Sequence, residues 1–237
     1  EARGDVVVGA GQTVHCAITN TMRGHLIVTK VTTPSTDTTT PFPVTGSGSG
    51  YIDTAVQTLT GNGGSFNYEV AGNGTYSVVE NPVPTGWSQT GNTCLNVAVA
   101  PGQTVNCQIS NTQLGHVVVT KVVINDNGGT ANPSSFTMNV SGNGANPASF
   151  QGGSGTTVDV IAGAYSVSES GPSGYAGSYS ADCSGTVAAG ETKFCTVTND
   201  DIQPKLIVSK VVINDNGGTA NPSLFTMNVS GNAASPS

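Results

Sequence analysis

The chain has 237 residues, of which 9% are charged and 5% aromatic, with a formal net charge of −7. That balance, with no basic patch, argues against nucleic-acid or anionic-membrane partners, and no apolar run reaches the roughly 20 residues of a membrane span. Short β-branched runs, punctuated by Gly, Asn, Ser and Pro about every ten residues, predict an all-β fold.

Read from the start, the chain opens on a segment that returns twice. GQTVHCAITNTMRGHLIVTKV at 11–31 recurs as GQTVNCQISNTQLGHVVVTKV at 102–122 and as GETKFCTVTNDDIQPKLIVSKV at 190–211. A second block, VVINDNGGTANPSSFTMNVSGN at 122–143, is nearly repeated at 211–232. The step from Lys30 to Lys121 is 91 residues and from Lys121 to Lys210 is 89, the size of a small β-sandwich domain. A unit that begins with the lysine strand and ends with the cysteine strand gives two complete repeats, 24–113 and 115–201. Residues 1–22 then read as the last strands of a preceding repeat, and 204–237 as the first strands of a following one. Glu1 falls inside a repeat, so an export signal is expected upstream or already removed. The linkers MRG, QLG and DIQP are short, which predicts a semi-rigid, elongated array.

Of five cysteines, Cys94 and Cys107, and Cys183 and Cys195, are spaced for two local bridges. Pro-Gly and Ala-Gly turns lie between them, so each bridge is expected to close a β-hairpin. Cys16 occupies the slot of Cys107 and Cys195, but counting back from it reaches Arg3, not a cysteine. Neither C-x-x-C nor a Cys/His zinc spacing occurs. Paired cysteines predict an oxidising, extracellular setting.

Strand alternation places an unusual set of polar residues inward. Leu26, Val28 and Lys30 share one face, as do Val117, Val119, Lys121 and Val123. Tyr76, Val78 and Glu80 share a face of GTYSVVE, and Tyr165, Val167 and Glu169 one of GAYSVSE. In the last strands, Cys107, Ile109 and Asn111 align, as do Cys195, Val197 and Asn199. Each complete repeat is therefore expected to send one Lys, one Glu and one Asn into its core. Burying a Lys–Glu pair is seldom stabilising by itself. Burial lowers a lysine pKa and raises that of a glutamic acid. A neutral amine then attacks the Asn carbonyl, while Glu polarises that carbonyl and shuttles protons to departing ammonia. The product is a Lys–Asn isopeptide, formed once and without turnover; the alternative is a buried Lys–Glu–Asn hydrogen-bond cluster.

These segments resemble the CnaB-type, prealbumin-like (SpaA-like) domains of surface pilins and adhesin stalks. The resemblance rests on Lys30 and Lys121 in first strands, on Glu80 heading ENPVPTGW and Glu169 heading ESGPSGY, and on Asn111 and Asn199 in last strands. In the partial repeats, Asn20 and Lys210 match as half-sites without partners. The resemblance implies tandem Ig-like or prealbumin-like β-sandwiches, cross-linked between Lys30 and Asn111 and between Lys121 and Asn199. The cysteine pairs are no general feature of that family, and no sortase-type LPxTG signal is present.

Other features read as structure. The loops at 124–133 and 213–222 offer a weak calcium site at Asp126 and Asp215, but Asn-Gly and Asp-Asn chiefly favour tight turns. Asn73, Asn139 and Asn228 sit in sequons. The Thr-rich run 32–40 reads as a surface loop, and Trp87 and Tyr175 as core or rim packing. Histidines 15, 25 and 116 form no catalytic or metal set. The expected function is a structural extracellular filament, pilus-like fibre or adhesin stalk without a cofactor, its partners being further repeats or copies of itself. The alternative is an adhesive module for a matrix, carbohydrate or cell-surface ligand.

Overall fold

The computed structural model describes residues 6–53 and 56–231; Arg3 and the outermost parts of the two partial repeats lie outside them. Among the described residues there are fifteen strands: β1 (Gly24–Thr33), β2 (Pro41–Gly48), β3 (Val56–Thr60), β4 (Ser65–Val70), β5 (Gly74–Glu80), β6 (Trp87–Asn92), β7 (Val97–Val99), β8 (Thr104–Ile124), β9 (Thr137–Gly142), β10 (Ser149–Gln151), β11 (Thr156–Ile161), β12 (Gly163–Ser170), β13 (Tyr175–Tyr179), β14 (Ser184–Val187) and β15 (Thr192–Asp201). Helical structure among the described residues is confined to single 3-10 turns. The fold is all-β, as the punctuated β-branched runs predict.

The strands build the same pair of sheets twice. In the first, β4-β1-β8-β6 faces β3-β2-β5-β7; in the second, β11-β8-β15-β13 faces β10-β9-β12-β14. In each, the first and last strands lie side by side and parallel: β1 against the leading part of β8, and the trailing part of β8 against β15. Alternate residues of these strands, such as Leu26, Val28, Val117 and Val119, are buried in two separate cores. Apolar burial of this kind contributes about 25 cal/mol per Å².

Two expectations need correction here. The expected linker QLG is not a linker, because β8 passes through it without interruption as a 21-residue strand. The cysteine bridges do form, Cys94–Cys107 and Cys183–Cys195, but neither closes a hairpin. β7 pairs with β5 and β14 with β12, whereas β8 and β15 lie in the opposite sheets. The turns at Gly102 and Gly190, with φ of 71° and 72°, carry the chain from one sheet to the other. The last residue of each short strand, Val99 and Val187, is buried in the core between the sheets. Each disulfide therefore ties the crossover that precedes the short strand to the last strand of its sandwich. Cys16 is exposed and unpaired.

Candidate cross-link sites

The parallel pairing of first and last strands brings lysine and asparagine together. Lys30 stands opposite Ile109, and Asn111 opposite Thr32, one inward position further along. In the second sandwich, Lys121 stands opposite Val197 and Asn199 opposite Val123. The glutamate arrives from the facing sheet, at the end of β5 in one case and near the end of β12 in the other.

In the first sandwich the three side chains close a ring. Lys30 Nζ donates to Glu80 Oε2 at 2.6 Å and also to Asn111 Oδ1, and Asn111 Nδ2 donates to Glu80 Oε1 at 2.7 Å. The side chains of Lys30 and Glu80 are fully buried, and Asn111 is buried with them. Burial pushes the Lys30 ammonium below the ordinary lysine range, although its hydrogen bond to Glu80 and that residue's charge pull the other way.

The second site is more open. Lys121 Nζ donates to Asn199 Oδ1 at 2.5 Å and to the carbonyls of Val122 at 2.8 Å and Val197 at 3.3 Å. Glu169 Oε2 stands 3.6 Å from Lys121 Nζ, an ion-pair distance, and accepts no hydrogen bond. Burial again lowers the lysine, against the charge of Glu169. A glycine accounts for the difference: a Cβ on Gly177 would fall 2.7 Å from Glu169 Oε1. Gly177 pairs with Asn199, where the first sandwich pairs Gln89 with Asn111. Glu169 leans into the room that Gly177 leaves.

Each ammonium also lies over an aromatic ring, Lys30 Nζ at 4.0 Å from the Phe42 centroid and Lys121 Nζ at 4.4 Å from that of Phe136. Trp87 packs edge-on against Phe42 at 5.3 Å and Tyr175 against Phe136 at 5.5 Å. Sequence reading placed Trp87 and Tyr175 at the core or rim but passed over Phe42 and Phe136. Their signal was the phenylalanine that recurs after each lysine strand, in TPFPV, SSFTM and SLFTM. The third member, Phe225, lies 4.5 Å below Lys210 Nζ. Lys210 is exposed, not inward, because no described strand pairs with its segment; Asn20 is exposed too.

The calcium candidates part company. Asp126 comes close to Asp200 and Asp201, whereas Asp215 belongs to no acidic cluster among the described residues. Asp201, which sequence reading missed, is committed to the backbone: it accepts from the N–H groups of Asp126 at 2.9 Å, Asn127 at 3.0 Å and Gly129 at 2.5 Å. The loop is a carboxylate-pinned turn. Its signal was the Asp that replaces Gln113 of the preceding repeat.

Residues 112–202 match the family of prealbumin-like fold domains called SpaA_2. Among solved structures, the chain is similar to GBS52, the minor pilin of Streptococcus agalactiae, at 12% identity over 79% of this chain and 100% of that one, with a TM-score of 0.39. It is similar also to the Bacillus anthracis TIE protein, at 19% identity and a TM-score of 0.35, covering 76% of this chain but only 34% of that one. Two B repeat units of the collagen-binding protein of Staphylococcus aureus overlap at 16% identity and a TM-score of 0.29, over 76% of this chain and 50% of that one. No curated protein matches the chain.

Proposed function

We propose that this chain, whose residues 112–202 form a prealbumin-like domain of the SpaA type, is a structural extracellular protein: part of a filament or adhesin stalk built from repeats 24–113 and 115–201. Each repeat is stapled by a self-formed Lys–Asn bond. The observation that carries this reading is the closed ring of Lys30, Glu80 and Asn111 between the first and last strands.

The ring supplies what the reaction needs. Burial holds the amine toward its neutral, nucleophilic form, and folding provides the proximity. Glu80 touches the amine through Oε2 and the amide nitrogen through Oε1, so one carboxylate takes the lysine proton and passes it to the departing nitrogen. The Lys30 Nζ–Asn111 Cγ bond forms, the Asn111 Cγ–Nδ2 bond breaks, and ammonia leaves. This differs from the expected role of Glu at the carbonyl, since Asn111 Oδ1 faces Lys30. In the second repeat, Lys121 and Asn199 are the bonding pair and Glu169 the proton carrier. With first and last strands parallel and joined, tension on a repeat runs through the bond and does not unzip the sheet.

Disulfides Cys94–Cys107 and Cys183–Cys195 support an extracellular setting. Intact mass tests the reading. The protein is expected to weigh two ammonia masses less than its disulfide-bonded sequence, and Glu80→Gln with Glu169→Gln to delay both losses after synthesis. A full-weight wild type would sink the proposal.

A further inference from the structure

The passage of β8 from one sandwich into the next is fixed at a single residue. Leu114 N–H donates to Gly86 O, in the loop that closes the first sandwich, at 2.8 Å. Leu114 O accepts from Gly190 N–H, in the turn of the second, at 3.2 Å. Two positions on, His116 N–H donates to Glu191 O at 2.8 Å. One residue thus has its donor held by one sandwich and its acceptor by the other, with no free backbone group between them.

The grip on the entering strand is a repeated device. At the start of the first sandwich, Gly102 N–H donates to Arg23 O at 3.1 Å and His25 N–H to Gln103 O at 2.8 Å, the same two bonds one repeat earlier. The glycine between these positions is required by close passage. A Cβ on Gly115 would lie 2.6 Å from Val187 Cγ2 and 2.8 Å from Ala188 O, and one on Gly24 2.4 Å from Val99 Cγ1. The grip on the leaving strand recurs too, since Ile202 N–H donates to Gly174 O at 2.8 Å as Leu114 does to Gly86.

At the third junction the spacing that puts both grips on one residue is broken. Lys30 follows Asn20 by ten residues and Lys121 follows Asn111 by ten, but Lys210 follows Asn199 by eleven. Counting from the asparagine, the clamped residue is Ile202; counting back from the lysine, it is Gln203. The extra residue exchanges the two faces of anything that continues as strand. Pro204 stands where Gly24 and Gly115 stand, putting a ring at a position where those two leave no room for a Cβ and removing a donor.

We propose that the array contains two kinds of joint. Fused joints, of the TMRGH and TQLGH type, lock neighbouring repeats against twist and bending through one doubly held residue. A split joint, of the DDIQPK type, separates the two grips and acts as a swivel. The proposal concerns stiffness alone and does not require the Lys–Asn bonds.

The test grafts one joint onto the other in the full chain. Nitrogen-15 relaxation of the wild type is expected to give residues 24–113 and 115–201 one shared rotational correlation time. Inserting Gln after Leu114 together with Gly115→Pro is expected to give the two sandwiches separate, shorter times. Amide shifts far from the joint report that both remain folded; should the proline disturb the second sandwich, the Gln insertion with Gly115 retained is expected to uncouple them equally. Independent tumbling in the wild type, or a shared time in a folded insertion variant, overturns the proposal. Intact mass of the same samples reads the cross-links separately.

Discussion

The two sandwiches place the same three residue types on the same strands, yet their sites differ in closure. In the first, Glu80 bridges amine and amide in a sealed ring; in the second, Glu169 stands off at 3.6 Å with its side chain 10% exposed. The register is the same and the lysine–asparagine contact is kept. What differs is a neighbour on the adjoining strand, Gly177 against Gln89. Fold topology therefore brings the lysine to the asparagine, and local packing decides how closely the glutamate approaches them.

The largest expected effect separates the sites by stability. Lys30→Met removes the buried hydrogen-bond partner of Glu80, which is expected to cost about 3–5 kcal/mol, besides the proposed cross-link. Lys121→Met is expected to cost less, since Glu169 already reaches toward solvent. Trp87, the only tryptophan, reports unfolding of the first sandwich, and hydrogen exchange that of the second. Equal losses would break the comparison.

The next contrast is kinetic. Glu80→Gln is expected to slow the first cross-link by about 10²–10⁴-fold, and Glu169→Gln to slow the second by a smaller factor. In the wild type, the first link is expected to close before the second, as seen by mass at successive times after synthesis. Gly177→Ala sharpens the point: its Cβ takes the space of Glu169 Oε1, pushing the carboxylate back over Lys121. A faster second link is expected; a slower one would show that Glu169 works from where it leans.

A smaller effect shared by both sites appears in Asn111→Ala with Asn199→Ala, where no link forms and both lysines still titrate. Burial holds Lys30 and Lys121 below the ordinary value of 10.5. Between the lowered and the ordinary value the unfolded chain binds more protons than the folded one, so stability rises with pH across that window and levels off above it. Denaturant unfolding from neutral pH upward checks the slope, and a falling curve would contradict the burial of the amines.

Much of this was legible in sequence because period-2 alternation is rigid: once Val28 and Val119 are inward, Lys30 and Lys121 must be too. The same rule read Glu80, Glu169, Asn111 and Asn199. It is silent on which sheet a short strand joins, so the Cys94–Cys107 and Cys183–Cys195 segments read as hairpins although each crosses between sheets. It is also silent on continuity. QLG looks like a linker because glycine breaks the pattern, whereas Gly115 is there to let β8 pass over Val187 and Ala188. Phe42 and Phe136 were visible only as a recurrence, since a phenylalanine in a core strand gives no sign of the ammonium above it.

The smallest effect is local, and the molecule carries its own reference. Residues 125–129 and 214–218 share the sequence NDNGG, so their amides have closely matched intrinsic exchange rates. In the first copy, Asp201 holds the N–H groups of Asp126, Asn127 and Gly129; in the second, no such carboxylate grip is present among the described residues, and the Asn216 side chain donates to the neighbouring Asp215. Burial works against the Asp201 carboxylate, but these three backbone donors and the Asn127 side chain together keep its pKa below the ordinary 3.8. Its grip is therefore present above that value and lost as pH falls through the lowered one. Asp201→Asn replaces an acceptor-only group by one that also donates, and is expected to bring exchange at Asp126, Asn127 and Gly129 up to that of Asp215, Asn216 and Gly218. If the first copy stays slow in the variant, the turn is held by its own glycines, and the carboxylate is incidental.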